Sequence, residues 1–513
     1  MKKGLKIVFI LFIIVCFSCK SDTTKPSVTK EVIKTDGEVL AKRHCVRCHS
    51  FPEPTVMPKR YWKEVLPFMG FHLGKAPKGK TLSDFRNEVA KKRLDQSGLF
   101  PSEAMISDNE WQAIIDFYDK NSPENLPVEQ KLSLYPETSV FEYEVLPWKT
   151  FGGGLTYLNF SNNIYQVGFN TDKGASYYAK IQKSGAPLKS YQINYPLVDV
   201  ASIDGVEFLL SMGRIFNIDE PTGSISVLQD SLKPFIEDLQ RPVDFILDDL
   251  DRDGIVDVLV SEFGKYLGGI NIYSNKGQFG KTNLHPKSGA INFVLRDINN
   301  DGLKDFYVLV AQEDESIYLF INKGDFKFEK HQLLSLPSYY GTTHFELLDF
   351  DNDGDEDIIC SSGDSDDFTS ALKPYHGIRI FENLGNHKYN QAWFHKQEGA
   401  YGTACADYDN DGDIDIASIG YYASLKNKGK EAFLYFENIS PSKNKLEFKA
   451  YSPLESKDNC FMLIKSKDID NDGDLDIILG SNSRIFSGKR KGSINDNWQK
   501  NGGIITILRN TTK

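Results

Sequence analysis

From Asp249 to the C-terminus, short apolar runs alternate with polar turns in a repeating order. Each cycle opens on an Asp-rich segment and continues into a run such as Asp257-Val-Leu-Val-Ser. A third run ends near Asn, as in Ile270-Asn-Ile-Tyr-Ser-Asn, Ile317-Tyr-Leu-Phe-Ile-Asn, Ile378-Arg-Ile-Phe-Glu-Asn, Leu434-Tyr-Phe-Glu-Asn and Ile505-Thr-Ile-Leu-Arg-Asn. A fourth begins near Phe or Tyr, as in Phe326-Lys-Phe-Glu-Lys-His-Gln-Leu and Leu446-Glu-Phe-Lys-Ala-Tyr. These runs are short, rich in β-branched and aromatic residues, and bounded by Asp, Asn and Gly, which is the pattern of strands. Four antiparallel strands per period predict a propeller blade.

The Asp-rich segments read Asp-x-Asp/Asn-x-Asp-Gly-x-x-Asp and start at Asp249, Asp297, Asp349, Asp407 and Asp468, spaced 48, 52, 58 and 61 residues apart. A repeat at that spacing makes each period one structural unit. Carboxylates at positions 1, 3, 5 and 9 can surround a hard cation with oxygens, and Gly at position 6 permits the sharp turn. The expected calcium ligands are Asp249, Asp251, Asp253 and Asp257; Asp297, Asn299, Asp301 and Asp305; Asp349, Asp351, Asp353 and Asp357; Asp407, Asp409, Asp411 and Asp415; and Asp468, Asp470, Asp472 and Asp476. An EF-hand is excluded because position 12 holds Val260, Val308, Cys360, Ser418 and Leu479 in place of Glu, and the flanks read as strands. Solvated Asp-Gly turns are the plain alternative.

Two weaker periods, Gly152–Tyr195 and Val198–Leu228, precede the Asp loops, so five plus two predicts seven blades. The last period stops at its third strand, whereas Val140-Phe-Glu-Tyr-Glu-Val-Leu-Pro, ahead of the first blade, has the fourth-strand pattern. An N-terminal strand that completes the last blade would remove the open edges and close the ring. Asp349-Phe-Asp-Asn-Asp-Gly-Asp-Glu-Asp and Asp407-Tyr-Asp-Asn-Asp-Gly-Asp-Ile-Asp resemble FG-GAP/VCBS repeats, the units of integrin-α-type β-propellers. The resemblance implies an all-β seven-bladed propeller over residues 138–513, with calcium loops in the last five blades. It does not imply a function, because such propellers serve adhesion, lectin-like binding and catalysis alike.

The N-terminal part carries different chemistry. Lys2, Lys3 and Lys6 precede the apolar run Ile7–Phe17, which is too short to span a bilayer. Residues 1–19 resemble a bacterial lipoprotein signal with Cys19 as the lipidated residue, and residues 20–35 read as a flexible tether. Ordinary cleavage near Ser18 is the alternative. Cys45-Val-Arg-Cys48-His49 is the attachment pattern for haem c: Cys45 and Cys48 form thioethers and His49 ligates the iron. A zinc half-site would need a second ligand pair, and a thioredoxin-like pair would need a βαβ context. Residues 36–127 therefore resemble a small all-α class I cytochrome c domain, in which Asp36–Arg47 looks helical. Its last helix carries a capping box at Ser107-x-x-Glu110 and an apolar face of Trp111, Ile114, Ile115 and Tyr118. For the sixth iron position, Met69 matches a Trp-x-x-Val-Leu-Pro-x-Met segment seen in propeller-linked cytochromes, Met105 is the alternative, and His72 is a minor candidate.

With 513 residues, the chain can hold two domains. The net charge of −11 lies largely in the Asp loops, and no basic stripe invites nucleic acid. Cys360, Cys405 and Cys460 read as buried thiols, with a Cys405–Cys460 bridge as the open alternative. The propeller face opposite the calcium loops offers His285, Tyr339, Tyr340, His344, Tyr401 and the run Asp364–Asp367 as a candidate ligand rim, with longer insertions at Gly420–Lys430 and Ser481–Gly503. Three functional classes follow. The chain is an extracytoplasmic electron carrier anchored by lipid, in the periplasm or at the cell surface, whose propeller docks a redox partner protein or small-molecule donor; or a sugar or alcohol dehydrogenase that feeds its own haem; or a carbohydrate- or protein-binding module.

Overall fold

The structure is a computed structural model that describes residues 36–76, 88–127, 133–150, 153–215, 219–274, 280–312, 314–364, 373–421, 430–442, 445–453, 460–483, 498, 500 and 502–512. The signal and tether, with Cys19, lie outside the described residues, as do residues 365–367 and most of the two long insertions.

Among the described residues, four α-helices form the N-terminal unit: α1 (Gly37–His44), α2 (Lys59–Phe71), α3 (Glu88–Ser97) and α4 (Asp108–Asn121). Helix α1 starts where Asp36 accepts the N–H of Glu38, and α4 starts at a full Ser107–Glu110 capping box. The two pack closely, since a Cβ on Gly37 would lie 2.1 Å from the Ala113 carbonyl oxygen. Trp62, Val65, Leu66, Ile114 and Tyr118 are buried together, and Trp111, Ile115 and Met69 pack against them. No helix among the described residues is long and apolar enough to cross a membrane.

The rest is a seven-bladed propeller of four-stranded antiparallel sheets. Blade one spans Gly154–Ile193 and blade two Leu197–Leu239; blades three to six follow over Pro242–His285, Ala290–Ser335, Thr342–Lys396 and Ala400–Tyr451. The seventh sheet contains Phe461–Lys467, Asp476–Ser481 and Ile504–Asn510, and takes Phe141–Lys149 as its outermost strand, with Phe141 opposite Asn510. Blade two runs beyond the expected Leu228 because a fourth strand, Leu232–Leu239, follows the third.

Apolar side chains from neighbouring blades meet in shared clusters. Ala417, Phe433 and Tyr435 of blade six, for example, pack against Ile477, Leu479 and Leu508 of blade seven. Each such fully buried Ile, Leu or Phe contributes roughly 1.5–3 kcal/mol, so blade-to-blade burial dominates cohesion. Inner strands are also tied by polar bonds: Asp244 Oδ2 accepts the N–H of Phe293 at 2.6 Å, and Glu346 Oε2 that of Cys405 at 3.3 Å. Cys360, Cys405 and Cys460 form no disulfide, so the Cys405–Cys460 bridge is not made.

Candidate functional site

The five Asp loops join the first and second strands of blades three to seven, so they share one face of the propeller. Position 6 is glycine with positive φ in every loop, from 81° at Gly302 to 103° at Gly473. Position 1 curls the loop around itself: Asp349 Oδ1 and Oδ2 accept the N–H groups of Asp353 and Gly354 at 2.9 and 3.0 Å. In four loops three carboxylates converge with ligand oxygens within 4.8 Å of one another: Asp249, Asp251 and Asp257; Asp349, Asp351 and Asp353; Asp407, Asp409 and Asp411; Asp468, Asp470 and Asp476. All-oxygen clusters of this kind fit a hard cation such as calcium. The acids of the Asp297 loop do not form such a group. Burial and mutual repulsion push Asp409 up to about 6 and Asp413 up to about 7, as expected for carboxylates crowded without a counter-charge.

The carboxylate at position 9 has a further role. Asp415 Oδ2 accepts the N–H of Tyr408 at 3.1 Å and Oδ1 accepts that of Asn438 at 2.8 Å, which ties the loop to the end of the third strand. The recurring Asn of the third run thus has a partner that sequence spacing alone did not identify.

Cys45 and Cys48 bracket a single 3-10 turn at the end of α1, and neither is in a disulfide. The segment that follows is pinned by Trp62 Nε1 to the Pro54 carbonyl and Tyr118 Oη to the Pro52 carbonyl, both at 2.9 Å. Burial raises the Cys45 thiol to about 11, opposite to the depressed pKa of a reactive thioredoxin-type cysteine. No third ligand joins this segment in a metal-holding group among the described residues, unlike a zinc site. His49 Nδ1 lies 2.8 Å from the Ser50 carbonyl oxygen, which can only accept, so Nδ1 carries the hydrogen. Burial lowers the His49 pKa, and the neutral ring then has its lone pair on Nε2. Two thiols and an imidazole with Nε2 available fit haem c.

Met69 is half-buried against the helical core. Met105 is 44% exposed, and its sulfur accepts from Arg47 Nη1 at 3.2 Å. His72 packs against Phe100, with ring centroids 4.8 Å apart.

The helical unit sits on the propeller face opposite the Asp loops. Ser338 donates its N–H to Ser50 Oγ at 3.3 Å, and Tyr375 donates its hydroxyl to the Val56 carbonyl at 3.2 Å. Tyr266 packs its ring on Phe100 at 5.0 Å and His72 at 5.9 Å. Tyr266 and Tyr375 follow second strands and Ser338 precedes a first strand, which sets all three on that face. The haem-pattern segment therefore lies one hydrogen bond from the propeller. None of these three residues stood out in the sequence, because an isolated Tyr or Ser in a loop carries no periodic signal.

Tyr339 and Tyr340 join Tyr375, with ring centroids 4.8 and 5.8 Å from it, and the Arg379 guanidinium lies 3.9 Å from the Tyr340 centroid. His285 is 3% exposed and packs on Tyr318, while His344 lies on the inner strand of blade five, 3.8 Å from Glu346. Tyr401 packs on Tyr421 in blade six. The structure groups Tyr339 with Tyr340, and it sets His344 and Tyr401 on the adjacent first strands of blades five and six, where Thr343 Oγ1 donates to the Ala400 carbonyl at 3.3 Å.

Residues 249–308 and 297–360 match the family model described as FG-GAP-like repeat. A comparison with curated proteins gives no match. Among solved structures, the N-terminal domain of Nup159 is similar with a TM-score of 0.41 and 9% identity, covering 73% of this chain and 98% of that one. A S. cerevisiae complex of a Dbp5 variant with Nup159, a Gle1 variant, IP6 and ADP gives a TM-score of 0.41, 8% identity and the same coverage. The chain carries FG-GAP-like repeats within a seven-bladed β-propeller.

Proposed function

We propose that this chain is an exported, lipid-anchored c-type cytochrome whose propeller, braced by calcium, holds a redox partner protein or small-molecule donor beside the haem. The observation that carries the reading is the docking of the Cys45–His49 segment, through Ser50, against the propeller loop that bears Ser338. When bound, haem c supplies a one-electron iron centre.

This chain's residues have defined tasks. Cys45 and Cys48 would hold the haem covalently, the hydrogen bond from Nδ1 to the Ser50 carbonyl orients His49 so that Nε2 would bind its iron, and Met69, or alternatively Met105, would supply the second protein ligand. Tyr266, Tyr375 and Ser338 hold the helical unit against the face where a donor would bind. Calcium in the Asp loops braces the opposite face. Fixing both partners on one scaffold raises the local concentration of the redox centre to roughly the millimolar range. Cys19 would tether the assembly to a membrane outside the cytoplasm.

The test is purification from a host with cytochrome maturation machinery. The wild type should carry haem that survives acid-acetone extraction, and Cys48→Ala should lose it. Tyr375→Phe with Tyr266→Ala should then slow haem reduction by the donor and leave the haem spectrum unchanged. A colourless wild type from such a host would end the cytochrome reading.

A further inference from the structure

The five Asp loops are not equivalent. At position 3, four loops carry Asp and the Asp297 loop carries Asn299. The N–H at position 5 bonds the Oδ1 of position 3 in both kinds of loop, at 3.1 Å from Asp353 to Asp351 and 3.1 Å from Asp301 to Asn299. Besides Oδ1, an Asp side chain has a second oxygen and a full negative charge, both of which suit a cation. Asn299 keeps an amide nitrogen, which only donates, and it donates to Asp301 Oδ2 at 2.8 Å. That bond occupies a carboxylate oxygen as well.

Asp297 differs too. Its Oδ2 accepts from Gly302 at 3.0 Å, but Oδ1 is buried without a hydrogen-bond partner, whereas Asp249, Asp349 and Asp407 use Oδ1 to accept the N–H at position 5.

A cation from the neighbouring blade already reaches this loop. Position 4 is Asn300, Asn352, Asn410 and Asn471 in four loops, but Arg252 in the first. Held at φ 61°, Arg252 reaches from blade three to blade four, where its Nη2 donates to the Asp301 carbonyl oxygen at 2.6 Å. A Cβ on Gly302 would lie 2.2 Å from that nitrogen, so the glycine leaves room for the guanidinium. Arg509 pairs with Asp470 at 3.2 Å in the last loop, yet three carboxylates still converge there.

We infer that calcium binds this propeller as four strong sites and one weak one, the weak site being the Asp297 loop, where Arg252 supplies part of the positive charge. The inference rests on the calcium reading above. Affinity in such loops follows the number of charged ligands, and one lost carboxylate oxygen with a cation alongside should weaken the site by about tenfold or more.

The experiment is a calcium titration of the chelator-stripped full chain by calorimetry, repeated with terbium luminescence. Wild type should show a tight class of four and a separate weak site. Asp297→Ala with Asp301→Ala should abolish the weak site alone, and Asn299→Asp with Arg252→Gln should bring the fifth site into the tight class. Five equivalent sites in the wild type, or a weak site that survives the double alanine change, would overturn the inference. No binding at any loop would overturn the calcium reading itself, and this inference with it.

Discussion

Asp476 accepts the backbone N–H of Asn510 on Oδ1 at 2.8 Å and that of Ile469 on Oδ2 at 2.9 Å. One buried carboxylate thus fastens the loop to the third strand of its blade. The Asn510 amide adds a bond to the Tyr408 carbonyl of blade six at 2.7 Å, so the fastening crosses between blades. Asp305 with Asn322 and Asp357 with Asn383 repeat the contact at 2.7 Å. The same Asp that reads as a calcium ligand is therefore also a fastener that needs no metal.

Asp476→Ala should strand two N–H groups and cost about 2–4 kcal/mol of unfolding free energy, even in chelator. Asp472→Ala, which removes an exposed loop carboxylate, should cost nothing measurable in chelator. Denaturant unfolding of both variants with calcium removed checks this. Equal costs would refute the fastening role.

Chelation should lower the melting temperature of the propeller and leave the haem spectrum nearly unchanged. Each site saturated at 100 times its dissociation constant adds about 2.7 kcal/mol to the folded state. Scanning calorimetry with and without chelator tests the claim, and an unchanged transition would reduce the loops to turns.

Glu315 links stability to pH. It is buried, accepts the N–H of Thr342 at 2.5 Å, and burial raises its pKa to about 8. The folded state holds its proton more tightly than the unfolded state, where the value is near 4.5. The contribution is therefore present below pH 4.5 and lost as pH rises through 8, by up to the order of 4 kcal/mol. Glu315→Gln keeps an acceptor for Thr342 without the charge, so it should be neutral near pH 5 and stabilising near pH 8.5. Melting curves across that range at constant calcium decide it; parallel curves would contradict the assignment.

Met69→Ala should abolish the weak far-red absorption of a Met-ligated oxidised haem and lower its potential. Met105→Ala should do neither, since its sulfur already accepts from Arg47 on the exposed side. The reverse result would move the role to Met105.

The parts of the fold that were legible share a property: they are local. The capping box needs Ser107 and Glu110 three residues apart, and the structure contains both of its bonds. The blade period is written in the Asp loops because a tight turn with position 6 at positive φ admits few residues besides glycine. The fourth strand of blade two was missed for a physical reason. Leu232-Lys-Pro-Phe-Ile-Glu-Asp-Leu is an outer strand with mostly solvent-facing positions, so burial does not impose an apolar alternation.

The sequence alone determined the repeat unit, the loop chemistry and the Cys-x-x-Cys-His segment, because each depends on residues close together in the chain. Tertiary structure decided what those pieces face. Ser50 meets Ser338 across 288 residues, Val56 meets Tyr375 across 319, and Arg252 reaches Asp301 across 49. Such contacts leave no periodic trace, since each needs only one residue able to hydrogen-bond at a surface point set by the packing of whole blades. It is the ring of blades that places the Cys45–His49 segment over one face and the Asp loops on the other.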